Sequence, residues 1–74
     1  MAGVEKMQDI MGKNLGKEVL IVLRWGVSIR GVLRAVDAQM NVIIENADEI
    51  VKDKLKPLGT ILIRGDNIVM VTAS

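Results

Sequence analysis

Val27-Ser28-Ile29-Arg30-Gly31-Val32-Leu33-Arg34-Ala35-Val36-Asp37 reads as one long β-strand, and it decides the fold. It is too long to stay straight in a chain of 74 residues. Gly31 at its middle is the expected bend, where a missing side chain lets the strand curl over a core. Upstream, Val19–Leu23 is a β-branched and leucine run suited to a strand, and Trp25-Gly26 reads as the tight hairpin turn between the two, with Gly26 free to take positive φ. Further upstream, Val4, Met7, Ile10 and Met11 fall on one helical face, which predicts a short helix over about 4–11 with Gly12 as its C-cap. A helix that short is stable only when laid on a sheet.

Downstream, Asp37-Ala38-Gln39-Met40 reads as a turn and Asn41–Glu45 as a third strand. Residues 46–58 are mostly charged, with Pro57 near their end, and read as a solvated loop with ragged strand ends. Gly59–Ile63 and Asn67–Thr72 form the fourth and fifth strands, separated by the turn Arg64-Gly65-Asp66. The expected fold is therefore mainly β: a short N-terminal helix, then a five-stranded, strongly bent antiparallel sheet forming a small open barrel, in one domain over 1–74.

Size makes self-association the first functional inference. A chain this short buries only about 60% of its unfolded surface, yet half of its residues are apolar. With no Cys and no His, a disulfide and a thiolate or imidazole metal site are excluded, so another chain is the natural cover. The surface to be covered is expected on the two edge strands, at Ile61, Leu62 and Ile63 and at Ile68, Val69, Met70 and Val71. Both edges lack the charges or prolines that keep natural edges apart. Pairing the fourth strand of one copy with the fifth of the next is a heterologous contact, which closes into a ring when the rotation per step allows it.

Ten basic residues against nine acidic ones give a net charge of +1, far from the excess of a protein that coats nucleic acid through phosphates. Any nucleic-acid binding must come from a local pocket. The longest apolar run, Val19–Leu23, is too short to span a bilayer, so no membrane partner is expected. No basic segment followed by an apolar stretch marks an export signal, and a cytoplasmic location is the expectation. Without His or Cys, and with carboxylates concentrated in loops, no nucleophile–base pair can be assembled, so neither catalysis nor a cofactor is expected.

Two short motifs carry a resemblance. Gly31-Val32-Leu33 with Asp37-Ala38-Gln39-Met40-Asn41 resembles the first Sm motif, in a region of about 17–50. Ile63-Arg64-Gly65-Asp66-Asn67-Ile68-Val69 resembles the second, in a region of about 59–72. Together, in this order and spacing, they make the chain similar to the Sm and Lsm family, on its archaeal side. The resemblance implies a homo-oligomeric ring, most often of seven copies, that binds uridine-rich single-stranded RNA around its inner rim, with RNA-processing proteins as further partners. It implies that Asn41 hydrogen-bonds a uracil base, Arg64 stacks on one face, Gln39 occupies the other, Gly65 lets the backbone approach, and Asp66 braces Asn41. Many relatives have His or another planar ring where this chain has Gln39, which offers less stacking area.

The chemistry of those residues agrees. An Asn amide can match the N3–H and O4 edge of uracil, but turned over it suits cytosine equally well, so a carboxylate must fix it. A guanidinium is planar and stacks on bases. Taken alone, Asn41 and Arg64-Gly65-Asp66 are equally well ordinary turn residues. Asp37 is expected to stabilise its turn and support the pocket. Met40 and Met70 read as fillers of core or interface, Trp25 as a packing cap on its hairpin rather than an RNA contact, and Lys52, Lys54 and Lys56 as solvated loop residues. Two other readings stay open: a ring-forming scaffold for protein partners with little RNA affinity, and a subunit of a mixed-chain assembly.

Overall fold

Gly31 sets the shape of the sheet. Its position leaves no room for a side chain: a Cβ there would collide with Ile44 and lie 2.9 Å from the Glu45 carbonyl oxygen. The computed structural model describes residues 7–73, and in it the strand carrying Gly31, β2 (Ser28–Val36), is the centre of the architecture. β2 pairs antiparallel with β1 (Glu18–Leu23) on one side and with β3 (Val42–Val51) on the other. Register shifts against β3 on both sides of Val32 and Leu33 mark the bend. β4 (Lys54–Ile63) continues beyond β3, and β5 (Ile68–Ala73) pairs with β1, giving the order β4-β3-β2-β1-β5 with β4 and β5 as edges.

The bent sheet encloses one core. Val19, Ile21, Leu33, Val42 and Ile44 are its most buried large side chains, each worth about 1.5–3 kcal/mol relative to exposure. Helix α1 (Met7–Gly12) closes it with Met11, while Ile10 remains exposed. The expected helix start at Val4 lies outside the described residues. Gly12 is the last helical residue and not a left-handed cap. Instead Asn14 Nδ2 donates to the Ile10 carbonyl oxygen at 3.1 Å, and Gly16 takes the positive φ that turns the chain into β1.

Two expectations need correction. Residues 46–58 are not a loop: β3 runs to Val51 and β4 starts at Lys54, joined by the turn Lys52-Asp53. Residues 51–57 are exposed throughout, because this hairpin extends beyond the core and no side chain on it has to face inward. Pro57 is tolerated because β4 is an edge strand. Trp25 is not a packing cap but is 89% exposed, at φ 65° in a turn where Gly26 also has positive φ. The apolar edge residues divide between the two faces of their strands. Ile63 belongs to the chain's own core, and Ile61, Ile68 and Val71 pack partly against it. Leu62 (64% exposed), Val69 (66%) and Met70 (48%) are left facing solvent.

Candidate nucleic-acid interface

The β2–β3 turn is organised by one carboxylate. Asp37 Oδ1 accepts the backbone N–H groups of Gln39 at 3.0 Å and Asn41 at 2.9 Å, an arrangement in which a side chain stands in for a backbone turn partner. The Met40 N–H donates to the Asp37 carbonyl oxygen at 3.0 Å, and the Asp37 N–H to that of Asn41 at 3.1 Å. Met40 takes a positive φ of 65° and is held there with its side chain half-buried against the core.

The second oxygen of Asp37 does different work. Asp37 Oδ2 accepts a hydrogen bond from Asn41 Nδ2 at 3.0 Å. On the other side of the same amide, Asn41 Oδ1 accepts the backbone N–H of Gly65 at 2.8 Å. A carboxylate can only accept and a backbone N–H can only donate, so these two neighbours fix which end of the amide is oxygen and which is nitrogen. One Oδ1 lone pair and one Nδ2 hydrogen remain without a partner among the described residues.

The β4–β5 turn brings Gly65 within reach. Gly65–Asn67 form a single tight 3-10 turn, closed by the Asn67 N–H on the Arg64 carbonyl oxygen at 3.0 Å. The glycine is required: a Cβ would collide with the Gln39 carbonyl oxygen and lie 2.8 Å from the carbonyl carbon and oxygen of Met40. The two motifs, 24 residues apart in the chain at Asn41 and Gly65, thus meet through the Gly65 backbone N–H and the Asn41 side chain. Arg64 and Asp66 are exposed, with Arg64 Nη2 3.6 Å from Asp66 Oδ2. A solvated pair of this kind contributes little to stability.

Of the expected site residues, Asn41 and Gly65 are joined directly, Asp37 and Met40 support them, and Arg64 flanks Gly65 on the same turn. Gln39 is exposed beside Asn41, its backbone tied to Asp37. The expected role of Asp66 is overturned. Asp66 pairs with Arg64, and Asp37 braces Asn41. The local signal favoured Asp37, since an Asp four residues before an Asn in a tight turn reaches it without help from tertiary structure. The Asn41 side-chain hydrogen bond is the main cause that holds the Asp37 carboxyl below its ordinary value, and the backbone N–H groups of Asn41 and Gln39 reinforce it against a desolvation effect of opposite sign.

The LSM domain model matches residues 9–73. A Pyrococcus furiosus protein described as snRNP Sm-like is 39% identical over 70 residues, covering 92% of this chain and 91% of that protein. Small nuclear ribonucleoprotein F of Schizosaccharomyces pombe is 44% identical over 61 residues, covering 81% and 78%. The crystal structure of the P. aerophilum SmAP1 heptamer superposes with a TM-score of 0.91 at 30% identity, over 97% of each chain. The Pyrococcus abyssii Sm protein in complex with a uridine heptamer superposes with a TM-score of 0.87 at 34% identity, over 95% of this chain and all of that one. A strand order with β4 and β5 as edges, two turns locked through Asn41 and Gly65, and a family match over nearly the whole chain lead to one conclusion: the chain belongs to the LSM domain family.

Proposed function

We propose that copies of this chain close into a ring and that the ring binds uridine-rich single-stranded RNA at the Asn41 site. The observation that carries the reading is the fixed amide. With Asp37 on its nitrogen and Gly65 on its oxygen, Asn41 offers one acceptor and one donor side by side. That pair matches the N3–H donor and O4 acceptor of uracil, and cytosine presents the opposite pair. Arg64 supplies a planar cation for one face of the base, and Gln39 lies beside the other. The heptameric relatives and the relative bound to a uridine heptamer support the same assignment.

The ring follows from the edges. Leu62 on β4 and Val69 and Met70 on β5 are exposed apolar residues on strands whose outer edges have no partner strand among the described residues. Joining β4 of one copy to β5 of the next satisfies both and repeats the site around the ring, which raises affinity for a U-tract through avidity. The chain serves as an RNA-binding platform in RNA processing, without a catalytic step of its own. Titration of the assembled protein with oligo-U and oligo-C tests this. Oligo-U should bind more tightly, and Asn41→Ala should abolish the preference while the assembly stays intact. Equal affinity for the two would refute base reading and leave a ring-forming scaffold.

A further inference from the structure

Trp25 sits where neither its turn nor the core calls for it. It is the only aromatic residue of the chain, and in the single chain it is 89% exposed. Its backbone lies at φ 65° and ψ 18°, a left-handed conformation that bulky residues avoid and that asparagine fills more readily in a tight hairpin turn. An unfavourable conformation kept without gain to the fold of its own chain points to a role outside that fold.

Its neighbours indicate the partner. Trp25 lines a cleft of about 350 Å³ together with the apolar side chains of Leu23, Val27, Leu62 and Ile63. Leu62 is exposed and also stands on the open edge of β4. The cleft therefore reaches the strand edge that the next copy occupies in the ring. β4 ends at the turn that carries Gly65, and β5 begins there. With that turn of every copy at the inner rim, β4 of one copy runs toward the rim and β5 of the next runs away from it. The pairing is then antiparallel, and its inner end sets Leu62 beside the next copy's Val69 and Met70. Both of these are exposed apolar residues in the single chain, and a thioether is a favourable neighbour for an indole ring.

We infer that Trp25 is a subunit anchor, which closes over the β4–β5 joint and is buried there against the next copy's Val69 and Met70; this rests on the ring reading above. The β1–β2 turn thereby joins the β4 edge as a second element of the contact surface. Trp25 and Leu62 form the apolar centre of that surface, where a large aromatic residue carries most of the binding energy of an interface. The left-handed backbone holds the indole away from its own core and leaves it free for the neighbour.

The chain has no Tyr and no other Trp, so its intrinsic fluorescence reports on Trp25 alone. In the assembled protein the emission should be blue-shifted and poorly quenched by acrylamide. In the dissociated subunits of Val69→Lys it should be red-shifted and quenched freely. Trp25→Asn, which keeps a turn-compatible residue, should raise the subunit concentration for half-dissociation in urea by at least about tenfold, as the loss of an interface anchor does. Circular dichroism should report an intact sheet, and the variant assembled at high concentration should keep its preference for oligo-U over oligo-C. Solvent-exposed emission from a ring whose mass sedimentation confirms, or a Trp25→Asn ring as resistant to urea as the native one, would overturn the inference and leave the ring standing. An assembled Trp25→Asn ring that has lost affinity for oligo-U would overturn it too, by making the turn an RNA contact. A native protein that sediments as a monomer would remove the ring reading and this inference with it.

Discussion

Asp37→Asn exchanges one carboxylate oxygen for an NH2 group in the β2–β3 turn and leaves the side chain the same size. In the native site, turning the Asn41 amide over breaks two hydrogen bonds, the one to Asp37 at 3.0 Å and the one from Gly65 at 2.8 Å. The part-buried bond from Gly65 alone is worth about 0.5–1.5 kcal/mol, and the exposed bond to Asp37 adds to it, so inversion costs roughly tenfold per pocket. The substituted side chain keeps its single oxygen for the backbone N–H groups of Gln39 and Asn41, as Asp37 Oδ1 does now, and must point its NH2 at Asn41. One orientation of the Asn41 amide then satisfies Gly65 and the other satisfies that NH2, each through one neutral bond of about 1 kcal/mol. The two orientations become nearly equal, and the oligo-U to oligo-C ratio should collapse to about unity per pocket. Anisotropy titrations of both homopolymers, with Asp66→Asn alongside, read this out. Asp66→Asn removes only an exposed pair to Arg64 and should leave the ratio unchanged. A full ratio in Asp37→Asn, or a collapsed one in Asp66→Asn, would refute the lock.

Gly65→Ala places a Cβ against Gln39 and Met40, so the β4–β5 turn must withdraw and the bond to Asn41 is lost; oligo-U affinity in the same titration should fall by about two- to tenfold, the worth of a neutral hydrogen bond. Val69→Lys changes a residue 66% exposed in the single chain, so circular dichroism should report an intact fold while sedimentation reports dissociated subunits. Asp37 should titrate below its ordinary 3.8, and Asn41→Ala should move its NMR midpoint upward, since the Asn41 side chain is the largest cause of the shift. Because the folded-state value is depressed, the turn stabilisation it provides is present above the unfolded-state value and is lost as pH falls through the folded-state one.

The strands were legible wherever they border the core. Gly31 announced the bend, because a glycine inside a long β-branched run has few other uses, and the turns at Trp25-Gly26 and Arg64-Gly65-Asp66 fell where glycine and polar residues interrupt apolar runs. The β3–β4 hairpin was illegible for a physical reason: residues 51–57 are exposed on both faces, so alternation of apolar and polar residues, the usual mark of a strand, is not required of them. The edge residues divide by face: a strand sends successive side chains to opposite sides, so on one edge the period of two turns Ile63 inward and Leu62 outward. In the site, residue types gave Asn41, Arg64 and Gly65, but which carboxylate holds the amide depended on separations that composition does not encode. Local hydrogen bonding within the turn favours Asp37, whereas the family resemblance implies Asp66. The expectation of a cap at Trp25 rests on the usual burial of aromatic residues; its left-handed backbone and its exposure emerge only from the fold.

Native mass spectrometry of the purified protein, with and without oligo-U, tests the central claim most directly, because it reports ring closure and RNA binding in one spectrum. Seven copies of an 8.1 kDa chain predict one species of about 57 kDa, shifted by the mass of a single oligo-U strand and not by oligo-C at the same concentration. An 8.1 kDa monomer in both spectra, or a closed ring that takes up oligo-U and oligo-C equally, would contradict the account.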